Sequence, residues 1–152
     1  MNSTNITFNL LPFDTSHEQN QSTITRMELL EFWNNRFGIP SEIFKEYTFW
    51  EKGSGKIWAF KGNLPQETEI EALGIRFTTT NQKSWKPTTN AAQKFGHHAH
   101  KNVLSLPFDQ ILKFVQGDSL HIDWNGESGY VIVRGNLSNH AIQIGVGLYS
   151  NG

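Results

Sequence analysis

The hydrophobic period changes once, near residue 47, and that change restricts the fold more than any other feature of the chain. In "TRMELLEFWNNRFG" (residues 25–38), Leu29, Leu30, Phe32, Trp33 and Phe37 recur at helical spacing. Thr25 stands at the capping position with Glu28 three residues later, and Gly38 supplies the stop. "IPSEIFKEY" then begins a second short helix, with Pro40 near its first turn. From Tyr47 the period is two. "YTFWEKGSGKIWAFKG" sets Tyr47 and Phe49 on one strand and Ile57 and Phe60 on the next, with residues 52–55 as the turn of a hairpin. A helix stripe and a strand face must cover one another, so the class is α+β.

The pattern continues to the end. "IEALGIRFTTT" reads as a strand with Leu73, Ile75 and Phe77 alternating inward, and "PTTNAAQKFG" as a helix entered at Pro87 and closed by Gly96. "NVLSL" is a short strand and "PFDQILKFVQG" a helix bearing Phe108, Ile111, Leu112 and Val115. "SLHIDW", "GYVIVRGN" and "AIQIGVGLY" are three further strands, with turn signals at Asn125-Gly126 and Gly135-Asn136. Short strands with frequent turns imply a small mixed barrel with helices at its start and middle. Residues 1–25 are rich in Asn, Ser, Thr and Gln and read as a flexible arm, although its apolar island, Phe8 to Phe13, could dock on the body.

The 152 residues suffice for one domain, or for two small ones sharing a core. The absence of cysteine excludes disulfides, thiolate metal sites and cysteine nucleophiles. The apolar runs are too short to cross a bilayer and no charged-then-apolar leader opens the sequence. The expectation is a soluble, cytoplasmic protein.

Several motifs invite a chemical reading and are better explained structurally. "GSGK" (residues 53–56) lacks the earlier glycine and following Ser or Thr of a phosphate loop, and lies between strands. "GVGLYSNG" has the first two glycines of a dinucleotide fingerprint but no helix after them, so Gly145 and Gly147 read as strand glycines admitting a close neighbour. His97, His98 and His100 belong to a loop that can become cationic rather than to a metal site. His121 and Asp123 alternate onto one strand face and could form an acid–base pair, yet no nucleophile accompanies them. No enzyme and no cofactor is expected.

Charge distribution is more informative than net charge, which is only -1. Between Glu71 and Asp109 no acid occurs across 37 residues, where the chain's average would place about three. That interval holds Arg76, Lys83, Lys86, Lys94 and Lys101, together with Trp85 and the three histidines. It is either a local positive field with a ring available for stacking, or a solvated basic connector with Trp85 packed inside.

"IPSEIFKEYTFWEKGSGKIWAF", "EALGIRF", "WKPTTNAAQKFG" and "GYVIVRGN…GVGLY" resemble the PUA-like region that follows the catalytic domain in archaeal members of the Sun family of RNA cytosine-5 methyltransferases. The resemblance runs from about Met27 to the end of the chain. It implies a pseudobarrel and RNA binding without methyl transfer, since that reaction needs a cysteine and a Rossmann-like domain that this sequence lacks. The full expectation is then a pre-PUA α/β segment at 27–96 and a PUA-like barrel at 101–152, together binding structured rRNA or tRNA in RNA modification or ribosome biogenesis. Lys83, Lys86, Lys94 and Lys101 would contact phosphates, Trp85 a base, and Arg76 would assist from its strand. Gly145 and Gly147 would admit a nucleotide, and the histidines would add charge below neutral pH. The alternative is a protein-interaction module, docking through the helix at 27–37 and the aromatic hairpin to an RNA methyltransferase or a ribosome-assembly protein.

Overall fold

The computed structural model describes residues 8–14, 24–62 and 74–151. Its described part is α+β, with two sheets and three α-helices.

The first sheet contains β1 (Phe8–Leu10), β2 (Tyr47–Lys52), β3 (Lys56–Lys61), β4 (Ile75–Thr79) and β5 (Lys86–Pro87), antiparallel and in chain order. Strand alternation turns Phe49, Ile57 and Ala59 to its inner face, and a register shift beside Ile57 lets Phe77 and Thr78 both point inward. Helix α1 (Arg26–Phe37) lies on that face. Thr25 Oγ1 accepts from Glu28 N at 3.1 Å, and Gly38 ends the helix at a φ of 72°, donating to the Asn34 carbonyl. Trp33 stacks on Phe77 at 4.6 Å between centroids. Phe44, from a 3₁₀ turn at Ser41–Phe44, meets Phe49, Phe77 and Phe95 edge-on.

Helix α2 (Thr89–Phe95) adds Ala91, Ala92 and Phe95 to this aromatic core. It starts at Thr89, capped by Thr88 Oγ1, because Pro87 is held in the sheet opposite Thr78. The second sheet pairs β6 (Val103–Leu106) parallel to β7 (Gly129–Leu137), and β7 antiparallel to β8 (His140–Tyr149). Helix α3 (Phe108–Val115) lies between β6 and β7 in the chain. Val131 and Val133 face a smaller core with Leu104, Leu106 and Ile111, whereas Ile132 faces the aromatic core. β7 is therefore a wall common to both.

Five expectations change. The turn expected at Gly135-Asn136 falls inside β7, where both residues pair with β8, and the chain reverses instead at Ser138-Asn139, whose φ values are 51° and 67°. The sheets do not close into a barrel among the described residues. "SLHIDW" forms no strand. Leu120, Ile122 and Trp124 do alternate inward onto the second core, but the segment is anchored through Trp124, whose carbonyl accepts from Tyr149 Oη at 2.6 Å, rather than through a ladder. On α3 only Ile111 is buried, because an eight-residue helix against a three-stranded sheet has room for one narrow contact line; Phe108, Leu112 and Val115 stay exposed. Phe60 takes the outer face and Ala59 the inner, as strict alternation after Ile57 requires. The apolar island does dock: Phe8–Leu10 is β1, and Leu11 is buried with its amide bonded to the Phe49 carbonyl. Leu73 and the rest of the N-terminal stretch lie outside the described residues.

Candidate nucleic-acid interface

Phe32 and Arg36 lie one turn apart on α1, so both side chains leave the helix on the same side. Trp85, in the link between β4 and β5, lays its ring against Phe32 at 5.5 Å. Tyr130 at the start of β7 completes a pocket of about 360 Å³ lined by Phe32, Arg36, Lys83, Ser84, Trp85 and Tyr130, with Ser128 and Gly129 at its edge.

Arg36 ties this pocket together. Its Nε donates to the Tyr130 carbonyl at 2.9 Å and its Nη2 to the Glu127 carbonyl at 3.1 Å. Gly129 makes this possible: its φ is 127°, and a Cβ there would lie 3.1 Å from Arg36 Nη2. Burial lowers the guanidinium pKa and the Glu127 carboxylate, 3.5 Å away, opposes that shift. Lys86 Nζ stands 5.8 Å from the Tyr130 ring centroid, within cation–π range. Lys101 Nζ donates to the Asn35 carbonyl at 2.9 Å, placing its charge at the negative end of α1. Asn102 Nδ2 binds the Arg36 carbonyl, and the Asn102 carbonyl accepts from Ile132 N, so Lys101 sits beside Arg36 and the start of β7.

Lys83, Trp85, Lys86 and Lys101 thus gather around one end of α1. None of these lysines is ion-paired with a described carboxylate. Trp85 is half-buried, with Phe32 against it and an edge in the pocket. Its position satisfies neither extreme, core or free platform.

The other expected residues lie elsewhere. Arg76 is exposed on β4 opposite Trp58, on the outer face of the first sheet, away from α1. Lys94 is exposed in the last turn of α2. His97 and His98 sit in a 3₁₀ turn with their rings 3.9 Å apart, and burial, then the neighbouring His97, pushes the His98 pKa below its ordinary value. The His100 ring crosses Gly38, where a Cβ would lie 2.5 Å from it. Gly145 and Gly147 face this chain's own groups: a Cβ at Gly145 would meet Thr89 at 3.6 Å, an ordinary contact, and only one at Gly147, 3.3 Å from Phe114, would be crowded. Sequence reasoning missed Phe32, Arg36 and Tyr130. Each has an ordinary local reading, as a helix stripe, a basic helix end and a strand start, and only folding joins them.

A second depression of about 890 Å³ lies over the smaller core, lined by Leu104, Phe114, Leu120, Ile122, Trp124 and Tyr149 among others. His121 and Asp123 border it, both exposed. Its floor is apolar, and Ser119 and Ser150 line it beside these two groups.

A family model described as a family of unknown function (DUF7122) matches residues 2–74, the portion that supplies α1 and β1 to β3. No curated protein and no solved structure matches the chain.

Proposed function

We propose that this protein binds structured RNA, of ribosomal or transfer type, without catalysing a reaction, in the service of RNA modification or ribosome biogenesis. The observation that carries the reading is a pocket lined by Arg36, Lys83, Trp85 and Tyr130, with Lys86 beside the Tyr130 ring and Lys101 at the adjoining end of α1. The three lysines, which have no carboxylate partner among the described residues, suit phosphates, which position a nucleic acid, and a partly exposed indole suits an unpaired base at a loop or bulge. Glu127 is the one described acid paired at this site, and it is engaged by Arg36. The PUA-like likeness belongs to this proposal. What supports it is the three-stranded sheet whose apolar side is overlaid by the residues 118–125 segment, an arrangement short of a closed pseudobarrel.

A salt titration with a hairpin RNA tests the reading. Replacing both Lys83 and Lys86 by Ala should flatten the dependence of log K on log salt by roughly two. Lys94→Ala, on α2, should leave the slope unchanged. Trp85→Ala should cost about 1–3 kcal/mol of binding if a base stacks there. A wild-type affinity indifferent to salt would refute the proposal.

The protein-docking alternative loses the helix on which it relied. Leu29, Leu30, Trp33 and Phe37 of α1 are spent in the chain's own core. What remains for it is the aromatic hairpin, whose Trp50, Trp58 and Phe60 are not buried, and the exposed line of Phe108, Leu112 and Val115 on α3.

A further inference from the structure

The geometry points to a second binding surface, on the outer face of the first sheet: a stacking platform for unpaired bases of single-stranded nucleic acid. It is independent of the pocket beside α1, which lies on the opposite side of the sheet.

Pairing across the sheet determines what this face displays. Leu10 faces Trp50, Trp50 faces Trp58, and Trp58 faces Arg76, a single row spanning four strands. In the adjoining rows Phe8 faces Lys52, and Thr48 faces Phe60. Phe8 meets Trp58 edge-on at 5.9 Å, and Lys52 Nζ stands 5.1 Å from the Phe8 ring and 5.8 Å from the Trp58 ring. Trp50 is oriented by its own Nε1, which donates to Thr48 Oγ1 at 2.8 Å.

A solvent-side sheet face ordinarily carries polar residues alternating with the buried ones. Here four rings, Phe8, Trp50, Trp58 and Phe60, remain partly exposed on it, although the Trp58 Nε1 is buried, and no described helix covers them, since α1 packs on the inner side. The charge on the face selects the occupant. Lys52 lies over the Phe8 and Trp58 rings and Arg76 faces Trp58 on the next strand, and no acid shares the row: Glu51 alternates away and accepts from Gly55 N at 2.7 Å. An apolar protein surface would leave both cations desolvated and unpaired. A polyanion bearing flat rings meets both features, with a base on Trp50 and phosphates on Lys52 and Arg76. Neighbouring strands are about 5 Å apart, and the Phe8 and Trp58 rings, two strands apart, are 5.9 Å between centroids.

The test uses the full chain with single-stranded RNA oligomers of about twelve nucleotides, oligouridylate and oligoadenylate, and a hairpin RNA as the comparison. Wild type should bind both single strands. Trp50→Ala should weaken that binding roughly 5- to 150-fold, and Trp50→Phe should restore most of it. Arg76→Ser, an exposed change that leaves packing alone, should lower the salt slope for the single strands by about one. Hairpin affinity should be unmoved by these variants and weakened, with the flatter salt slope, in the Lys83→Ala/Lys86→Ala protein, so failure of either surface is separable from failure of the other. The platform is overturned if wild type binds neither oligomer, if Trp50→Ala and Arg76→Ser bind them as tightly as wild type, or if sedimentation shows the face buried in a dimer that Trp50→Ala dissociates.

Discussion

The indole Nε1 of Trp33 donates to Thr78 Oγ1 at 2.9 Å, joining the middle of α1 to β4 in the interior, where both side chains are fully buried. A threonine inside an aromatic core is explained by this bond, since the indole donor would otherwise have no acceptor. Thr78→Val preserves shape and removes the acceptor. It should destabilise the fold by about 1–3 kcal/mol, the cost of an orphaned buried donor. Urea unfolding should show a lower midpoint at unchanged slope, and combining Thr78→Val with Trp33→Phe should give a total loss smaller than the sum of the two separate ones.

Arg36 performs the corresponding task at the surface pocket, binding two carbonyls of the residues 127–130 stretch from α1. Arg36→Lys keeps charge but cannot reproduce the planar fork, so it should lose most of the stabilisation, about 1.5–3 kcal/mol for bonds from a charged donor. Glu127→Gln should behave oppositely. The carboxylate side chain is 74% exposed, and exposed ion pairs contribute about 0–1 kcal/mol, so melting should barely change. Removing that negative charge from the pocket should tighten hairpin RNA binding, measurable by fluorescence anisotropy at low salt.

Local chemistry explains which elements could be read from sequence. Thr25, Glu28 and Gly38 specify α1 through backbone bonds made within a few residues, and the "EKGSGK" turn specifies the hairpin likewise. "SLHIDW" has a strand's alternation without a strand's partner, because alternation reports burial of one side and says nothing of a ladder. The pocket was half visible. Lys83, Trp85 and Lys86 are neighbours in sequence, whereas Arg36 and Tyr130 are 94 residues apart and meet only through a side-chain bond to a backbone carbonyl. The acid-free interval misled in one respect. Lack of acids is a property of the chain, but β4 and α2 direct Arg76 and Lys94 away from the group around α1.

His98 should make the fold sensitive to mild acid. Burial, and then the charge of His97, lower its pKa in the folded chain, and the Arg134 guanidinium is nearby on the carbonyls of Gly96 and Ala99. As pH falls through about 6.5 the unfolded chain takes up this proton first. Stability is therefore complete above that value and declines below it, down toward the folded pKa. Melting temperatures recorded between about pH 7.5 and 5.5 should fall for wild type, and less steeply for His98→Gln. Because the ring is partly exposed the change should be modest, and identical curves would remove His98 from the account.

The hairpin between β2 and β3 offers a contrast between two glycines of similar backbone conformation. Gly53 has a φ of 69° with nothing within 4 Å of an added Cβ, whereas Gly55 has a φ of 73° and a Cβ there would lie 2.5 Å from Asn81 N. Gly55 also anchors the turn: its amide donates to Glu51 Oε2, and its carbonyl accepts from Thr80 N at 2.7 Å. Gly53→Ala then carries only the left-handed backbone penalty, about 1 kcal/mol. Gly55→Ala adds a collision with backbone that cannot swing aside, and should cost at least twice as much. Chemical denaturation of the two variants side by side gives the comparison directly. Trp58, beside the register shift that follows Ile57, should report it as well: its fluorescence should shift in Gly55→Ala, where β3 must move against the residues following β4, and not in Gly53→Ala.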